Sequence, residues 1–593
     1  MKTLKLLLAI TTILFAKTIE AQFNYQRNWG TYFGDERFEL KSSKIDSQGN
    51  IYLVGAVKGT DLTNLTSFTN ASSHQQYYAG GNYDGFIIKF NNAGQILWGT
   101  FFGGLSNDKI NAIDIDNNDN IYIIGSTQSS SNITTTGAHQ ETLNGGGDFF
   151  ISKFNASGTI VWSTYFGGSE NDYAPNPENI SFDGLNNIYI STTMFSPNMA
   201  TPGVFQQNKN DSSYQISKFD LNGNRIWTTY YGKNIPLWNI KSSTQGVYTL
   251  SHTMDCPPNF SYNTYFGTPN THKPLPENCR EIFLTKFNVN GQRDWSTYYG
   301  GNLNEGVTEK NCIDVKDNAI LFTGGAPNYT NQEIATYGSY QSNCNSNSNI
   351  IVQFNQTGTR DWGTYNGNYN INLSNSVPII SNIIIDKNST NFYNYGSTGM
   401  SLGITTTDGY LSNTNNSYSG DAFVCKFTNQ NTKSWGTYYG GELDEKDIDF
   451  HPYDNGNRFY IVGTTQSLTQ IATTNGLQQT KQVFDTVNNS FQSAYTIFIA
   501  HFEPNPLSSE NFNENNTITV YPNPTKNTLT IKKHKATTEN FKYNIIDVTG
   551  RNVKKGTSKF SDYINIENIS DGIYTILIET TNGEKLSQKI IKN

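Results

Sequence analysis

The sequence predicts an all-β chain: a seven-bladed β-propeller closed by N- and C-terminal strands, followed by a small β-sandwich. Three observations carry this. A Trp-centred segment recurs seven times at near-constant spacing, each period holds four short strand-like runs, and the composition favours strands and turns over helices. Of 593 residues, 13% are aromatic, with 36 Tyr and 35 Phe, 51 are Gly, and only 15% are charged, against about 25% in a typical soluble protein. Tyr, Phe, Thr and Ile suit strands, while Gly and Asn suit turns. The Ala, Leu, Glu and Lys that build helices do not dominate. A disordered, highly charged chain is excluded.

Residues 1–21 read as a signal peptide. Lys2 and Lys5 form a charged start, Leu6–Ala16 an apolar run, and Ile19 and Ala21 suit cleavage after Ala21. The apolar run is about 11 residues, short of the roughly 20 that a bilayer requires.

Residues 22–503 hold the repeat. Trp, then Gly, Ser or Thr, then Thr, two aromatics and Gly recur as Trp29–Gly34, Trp98–Gly103, Trp162–Gly167, Trp227–Gly232, Trp295–Gly300 and Trp435–Gly440, with a weaker copy at Trp362–Gly367. The steps between these Trp are 69, 64, 65, 68, 67 and 73 residues, and Trp238 alone of the eight Trp stands outside the motif. In the second period strand A is Ala112–Asp116, B is Ile121–Gly125, C is Phe149–Phe154 and D is Ile160–Tyr165, with Gly/Asn turns between A and B and between C and D. Short strands joined in this way form an antiparallel meander, and four strands per repeat make a propeller blade. The first Trp segment has no A, B or C strand before it, and the last repeat, ending at Ile497–Phe502, has no Trp strand after it. Pairing the two completes a seventh blade from both chain ends and removes the open sheet edges.

The repeats resemble the SBBP family of bacterial seven-bladed propeller repeats. The resemblance rests on the Trp-Ser-Thr-Tyr-Phe-Gly-Gly segment, on Asp46–Gly55 and on Gly420–Phe427, and spans roughly residues 22–505. It implies a fold and almost no biochemical function.

Residues 504–516 form a linker rich in Pro, Ser, Asn and Glu, and residues 517–593 start a new pattern. Thr517–Val520, Thr528–Lys532, Tyr543–Asp547, Gly572–Ile578 and Lys585–Lys592 read as strands of a small sandwich. Val520–Pro524, Asp547–Arg551, Asp571–Thr575 and Lys589–Lys592 are similar to the type A C-terminal sorting domain of the type IX secretion system of Bacteroidetes. The motif positions are Tyr521, Pro522, Asn523, Pro524, Gly550, Gly572, Tyr574 and Lys589. The resemblance implies recognition by the outer-membrane translocon and cleavage by its sorting peptidase. It further implies release from the cell or attachment to surface lipopolysaccharide, and so a secreted or cell-surface location.

The net charge is −8, but residues 516–593 carry twelve Lys and Arg against seven Asp and Glu, so the body of the chain is strongly acidic. An acidic body excludes nucleic acid as its partner, because phosphate binding needs clustered Lys and Arg. Export permits disulfides. Cys256 and Cys279 bracket a Pro-rich loop and are candidates to staple it, Cys312 and Cys344 are candidates to pair in the next repeat, and Cys425 reads as a buried thiol. None has the CxxC spacing of a zinc site.

Candidate binding residues fall in two places. The connections between B and C strands are long, at about 56–83, 127–147, 193–213, 252–280, 325–348, 398–420 and 465–494, and are rich in Tyr, Asn, Ser, Thr and Gly. Such loops on a rigid scaffold suit sugars or peptides; the alternative is that they are solvated spacers. In the connections between blades, a carboxylate recurs four residues after the second Gly position: Glu39, Asp108, Asp172, Glu305 and Glu445, with Leu237 and Asn372 in the other two repeats. These acids are candidates to ring a channel mouth and hold Ca²⁺ or a cationic ligand, or to satisfy loop N–H groups. The Asp114–Asp119 turn lacks the Gly and distal Glu of a calcium loop and reads as a hairpin.

Catalytic signals are absent from the sequence: the seven His show no HExxH spacing, and there is no GxSxG elbow or phosphate-cradling Gly loop. His501 takes a strand position held by Lys89, Lys153, Lys218, Lys286 and Lys426 elsewhere, which reads as framework. The expectation is an exported, non-enzymatic propeller that binds glycans or proteins through its long loops. The alternatives are a secreted carbohydrate-active enzyme on the same face and a purely structural surface protein.

Overall fold

The computed structural model describes residues 25–59, 68–172, 179–209, 213–232, 239–253, 266–277, 280–301, 305–307, 311–326, 333–344, 347–369, 380–399, 401–407, 409–414, 420–482, 494–504, 518–533, 539–547, 551–581 and 585–593. The expected signal peptide, the Cys256–Cys279 pair, Gly550, Leu237, Asn372 and nearly all of the 504–516 linker lie outside them. The chain divides into two compact units, 1–503 and 504–593, and every named element is a strand.

The first unit contains, among the described residues, seven four-stranded antiparallel sheets. Sheet 1 runs Phe38–Ile45 (A), Ile51–Lys58 (B), Tyr83–Phe90 (C) and Ile96–Phe102 (D). Sheet 2 runs Asp108–Ile115, Ile121–Thr127, Asp148–Phe154 and Ile160–Phe166, and sheet 3 Asn179–Phe182, Asn187–Met194, Ser213–Asp220 and Arg225–Tyr231. Sheet 4 is Asn239–Ser243, Gly246–His252, Ile282–Phe287 and Arg293–Tyr299, and sheet 5 Ile313–Lys316, Ala319–Ala326, Ser348–Phe354 and Arg360–Asn366. Sheet 6 is Ile380–Ile385, Phe392–Thr398, Asp421–Phe427 and Lys433–Tyr439. Sheet 7 takes A, B and C from Glu445–Tyr453, Arg458–Thr465 and Thr496–Pro504, and its fourth strand is Tyr25–Phe33 from the other end of the unit.

The B strands are buried along nearly their whole length, as in Ile121–Thr127 and Phe392–Thr398. A strand packed on both faces reads as an unbroken apolar run rather than an alternating one. The A strands of successive sheets approach one another and are tied by side chains. Asp114 accepts the Phe182 N–H at 2.7 Å, Ser181 the Ser242 N–H at 2.9 Å, and Asn239 the Cys312 N–H at 2.7 Å. Asp314 accepts the Ile385 N–H at 2.7 Å, and Asn382 donates to the Ile448 carbonyl at 3.1 Å. Asp449 of sheet 7 accepts the Ser43 N–H of sheet 1 at 2.9 Å, and Lys44 of sheet 1 lies 3.8 Å from Asp114 of sheet 2.

A second tie explains the Trp repeat. In five sheets the C-strand Lys lies between the B-strand Tyr and the D-strand Trp: Tyr52–Lys89–Trp98, Tyr122–Lys153–Trp162, Tyr189–Lys218–Trp227, Tyr248–Lys286–Trp295 and Tyr393–Lys426–Trp435. The ammonium sits 4.9–5.9 Å from the tyrosine ring centroid, within cation–π range. His501 replaces this Lys opposite Tyr460, with Tyr453 Oη at 2.6 Å from Nε2, so it is a framework group there.

One expectation is corrected. Cys312 and Cys344 are buried thiols that are not joined to each other. The Cys312 S–H turns to the Ser381 carbonyl of the next sheet at 3.6 Å, which takes it away from its own B–C connection.

The second unit consists of two sheets over one core. The strands Asn552–Lys559, Asn540–Asp547, Gly572–Thr580 and Lys585–Lys592 form one sheet, and Ile518–Tyr521, Thr528–Lys533 and Tyr563–Asn565 the other. Leu529, Ile531, Ile545, Ile566, Ile576 and Ile590 are fully enclosed between them.

Candidate functional site

Three features of the first unit could carry function: the cavity between the A strands, the recurrent acids and the long B–C connections. The cavity is lined by A-strand residues of all seven sheets, among them Ser43, Lys44, Asp114, Ser181, Lys241, Asp314, Ile383 and His451. Its charges are matched internally. Lys241 lies 2.9 Å from Asp314; burial works to lower its pKa, but Asp314 and Asp114 hold it above the ordinary value. His451 hydrogen-bonds Ser43 Oγ at 2.7 Å, and burial pushes its pKa down to about 4 against the pull of Asp449. The cavity measures about 60 Å³, room for a handful of waters and not for a sugar or peptide.

None of the five sequence-predicted acids lines that cavity. Four are buried: Asp108 and Glu445 open their A strands, and Asp172 and Glu305 lie in connections between sheets. Asp108 accepts the Gly104 N–H at 2.7 Å, the Ser129 hydroxyl at 2.8 Å and the Thr127 hydroxyl. Asp172 accepts N–H groups of Gly168, Phe195 and Ser196, each at 2.8 Å. Glu445 accepts the Thr465 and Ser467 hydroxyls at 2.6 and 2.7 Å and the Gly441 N–H at 3.2 Å. Glu305 is also fully buried, and its pKa rises to about 7, chiefly through burial. Asp108, Asp172 and Glu445 each tie the connection before them to the sheet that follows.

Glu39 is the exception and corrects the expected spacing. Asp108 pairs with Thr127 and Glu445 with Thr465, but the residue paired with Val57 at the matching register is Phe38. Glu39 stands one residue further on, which turns its side chain to the other face of the strand. There it is partly exposed, 3.4 Å from Lys41 and 3.5 Å from Lys109.

Each buried acid faces a second one that the sequence reading missed: Asp84 beside Asp108, Asp148 beside Asp172, Glu281 beside Glu305 and Asp421 beside Glu445. These partners begin the C strands, or stand just before one in the case of Glu281. The recurring acid before Gly-Phe, Phe-Phe or Ala-Phe at Asp84, Asp148 and Asp421 was the available signal. Among the described residues, no three His, Cys, Asp or Glu side chains are grouped to hold a metal ion. The Asp116 hairpin is structural, because its carboxylate accepts the Asn118 and Asn120 N–H groups, each at 2.9 Å, and the Tyr122 hydroxyl at 3.0 Å.

The B–C connections span 18–30 residues, against two to six for the A–B and C–D turns. They are neither free loops nor spacers throughout. In sheet 2, Thr135 N–H donates to the Ser163 carbonyl and Tyr165 N–H to the Gln140 carbonyl, both at 3.0 Å. The same pair of bonds joins Thr201 and Gln206 to sheet 3, Thr336 and Gln341 to sheet 5, Thr406 and Leu411 to sheet 6, and Thr473 and Gln478 to sheet 7. This stretch covers the outer edge of the D strand, which would otherwise offer unpaired N–H and C=O groups. Side chains left exposed on these connections include Tyr77 at 65% and Tyr337 at 97%, with Phe195, Leu275, Tyr340 and Leu477 also exposed.

In the second unit the motif residues meet. Asn523 donates to the Lys589 carbonyl and accepts the Ile591 N–H, both at 2.8 Å, so Tyr521–Pro524 is fastened to the last strand. Tyr574 Oη donates to the Ser570 carbonyl at 2.7 Å, and Gly572 opens that strand. Lys592 pairs with Asp571 at 3.1 Å.

Residues 519–593 match the secretion system C-terminal sorting domain family, and residues 97–133 match the β-propeller repeat family. No curated protein matches the chain. Among solved structures it is similar to phage phi92 endosialidase, at 10% identity over 95% of this chain and 87% of that one, with a TM-score of 0.32. It is similar to polysaccharide lyase Uly1, at 9% identity over 83% and 95%, with a TM-score of 0.36. It is also similar to the extracellular domain of a putative hybrid two-component system from B. thetaiotaomicron, at 13% identity over 95% and 74%, with a TM-score of 0.19. The chain thus carries a β-propeller repeat together with a secretion system C-terminal sorting domain, and is a protein secreted or displayed at the cell surface through the machinery of the type IX system.

Proposed function

We propose that the seven sheets are the blades of a closed seven-bladed propeller, and that this propeller is a non-enzymatic binding module for glycans or proteins outside the cell. The closure reading is supported by the Asp449–Ser43 bond between sheets 7 and 1 and by the shared seventh sheet. The binding reading is carried by one observation: the exposed aromatic side chains Tyr77, Phe195, Tyr337 and Tyr340 stand on the long B–C connections. A tyrosine ring supplies contact area at low entropic cost, and the Asn, Ser and Thr around it supply adaptable hydrogen bonds. The buried acid pairs sit inside the fold, which supports the non-enzymatic reading.

The test is a glycan and polysaccharide binding screen on the secreted protein, with and without Ca²⁺, followed by product analysis of every hit. Binding without new reducing ends or unsaturated products, weakened at least several-fold in Tyr337→Ala, is the expected result. Cleavage products would establish an enzyme instead, and absence of any glycan binding would leave a protein partner or a purely structural role.

A further inference from the structure

The carboxylate pairs hold a feature that their tying role does not explain. Asp84 Oδ2 accepts the Ala79 N–H at 2.6 Å and the Gln75 amide at 3.4 Å, and Asp148 Oδ2 accepts the Asn144 N–H and the Gln140 amide at 2.9 Å each. The other oxygen of each, Oδ1, is buried and receives no hydrogen bond from the described residues. At Asp84 that oxygen lies across a glycine from the second acid. A Cβ on Gly103 would lie 2.7 Å from Asp84 Oδ1 and 2.8 Å from Asp108 Oδ2, so both carboxylates close on the space the glycine leaves open. At Gly167 the same space is bounded by Asp148 Oδ1, and Asp172 is close enough to act on Asp148 electrostatically; at Gly440 it is bounded by Asp421 Oδ1 and Glu445 Oε2.

Two buried carboxylates at such range cannot both be charged unless a cation stands between them. No Lys, Arg or His forms an ion pair with the Asp84–Asp108 or Asp148–Asp172 pairs among the described residues. The titratable groups that face them are tyrosines: Tyr78 beside Asp84 and Asp108, Tyr165 beside Asp108 and Asp148, and Tyr230 beside Asp172. The Glu281–Glu305 pair differs, because Lys273 lies 3.2 Å from Glu281.

We propose that Asp84 and Asp148 are protonated in the folded protein and donate their Oδ1–H to Asp108 and Asp172, so that each pair is one acid and one carboxylate sharing a proton. The donor sets assign the roles. Asp108 and Asp172 each already accept three hydrogen bonds, whereas Asp84 and Asp148 have an oxygen free to carry the proton. The directions of titration agree: burial, and then the neighbouring carboxylate, raise both Asp84 and Asp148 to about 7. A raised folded-state value means stability that is fully present below about 4 and is lost as pH rises toward 7. These joints between sheets are therefore firmest in acid and weaken toward neutrality, unless a cation replaces the proton.

The test compares the full chain with Asp84→Asn/Asp148→Asn, in which an amide supplies the same donor without a titrating group. The expected melting temperatures are similar at pH 5, and at pH 8 the variant is higher than the wild type by a few degrees. Titrations common to both proteins, including those of the buried histidines, cancel in that difference. Should the variant fold poorly, infrared difference spectra of the folded wild-type protein between pH 5 and pH 8 read the C=O stretch of a protonated carboxyl directly, and the absence of such a band at pH 5 would overturn the proposal. A pH-independent difference between the two proteins would overturn it as well. So would a rise in wild-type melting temperature with millimolar CaCl₂ that is lost in the variant, which would make the pairs cation sites.

Discussion

The Trp227 indole N–H donates to the main-chain carbonyl of Val289, 62 residues along the chain and in the next sheet, at 2.9 Å. Lys218 Nζ reaches the same carbonyl at 3.3 Å. The turn that presents it holds Gly291 at φ +76°, and a Cβ there would lie 3.0 Å from the indole ring. Trp29, Trp98, Trp162 and Trp295 make the equivalent bonds to Asn92, Ala156, Leu221 and Gln356. The repeated Trp is thus a latch between neighbouring sheets, and its spacing is the sheet repeat itself.

Trp227→Phe keeps most of the buried ring and loses the N–H donor, at an expected cost of about 1 kcal/mol. Trp227→Ala should cost about 3–5 kcal/mol. Urea unfolding followed by fluorescence checks both; a Phe variant as stable as the wild type would remove the hydrogen bond from the account.

Gln140 joins a B–C connection to two places at once: its amide donates to Asp148 at 2.9 Å and accepts the Gly167 N–H at 3.2 Å. Gln140→Ala should destabilise sheet 2 by about 1–3 kcal/mol, because buried polar groups lose their partners. Hydrogen exchange should show faster exchange at the Tyr165 amide, which the same connection covers. Unchanged protection there would mean the edge is held by other bonds.

His252, His272, His451 and His501 are each lowered to about 4, chiefly by burial. A depressed histidine is neutral when folded and takes up its proton on unfolding, so its contribution is present above about 6.5 and lost as pH falls toward 4. Acidification from pH 7 to 4.5 should lower the melting temperature less in His501→Asn than in the wild type. An equal drop in both proteins would show that His501 does not contribute to the acid sensitivity. These groups act in the opposite sense to the carboxylate pairs, so the two variants should change the pH profile in opposite directions.

Removal of residues 519–593 should keep the protein inside the cell, because that region matches the sorting domain. Asn523→Ala should lower export less severely, since it frees Tyr521–Pro524 from the Lys589 and Ile591 main chain. Fractionation of cells expressing each form reads the result; normal export of the truncated chain would show that another signal suffices.

The all-β architecture, the four-strand period and the sorting domain were legible in the sequence. Local turn chemistry and short-range repetition write them directly: Asp116 caps its hairpin within four residues, and Trp recurs once per sheet. The acids at Asp108, Asp172, Glu305 and Glu445 were also found by spacing. Glu39 departs from that set because counting from a glycine ignores strand register, and one residue reverses the face. The partner acids Asp84 and Asp148 leave no local signal of the pairing, because they lie about 24 residues before Asp108 and Asp172 in the chain.

By itself the sequence determined the four-strand period, the turns within it and the sorting domain, since each depends on residues close in the chain and on period-two and turn preferences, whereas Asn552–Lys559 and Tyr563–Asn565 of the second unit carry no such signal. Tertiary structure alone decided which groups are buried and what they meet. Cys312 turned to a neighbouring carbonyl instead of Cys344, the long connections folded back to cover the D-strand edges, and two acids met across Gly103. Those outcomes follow from desolvation and hydrogen-bond satisfaction between segments far apart in sequence, which no local pattern records.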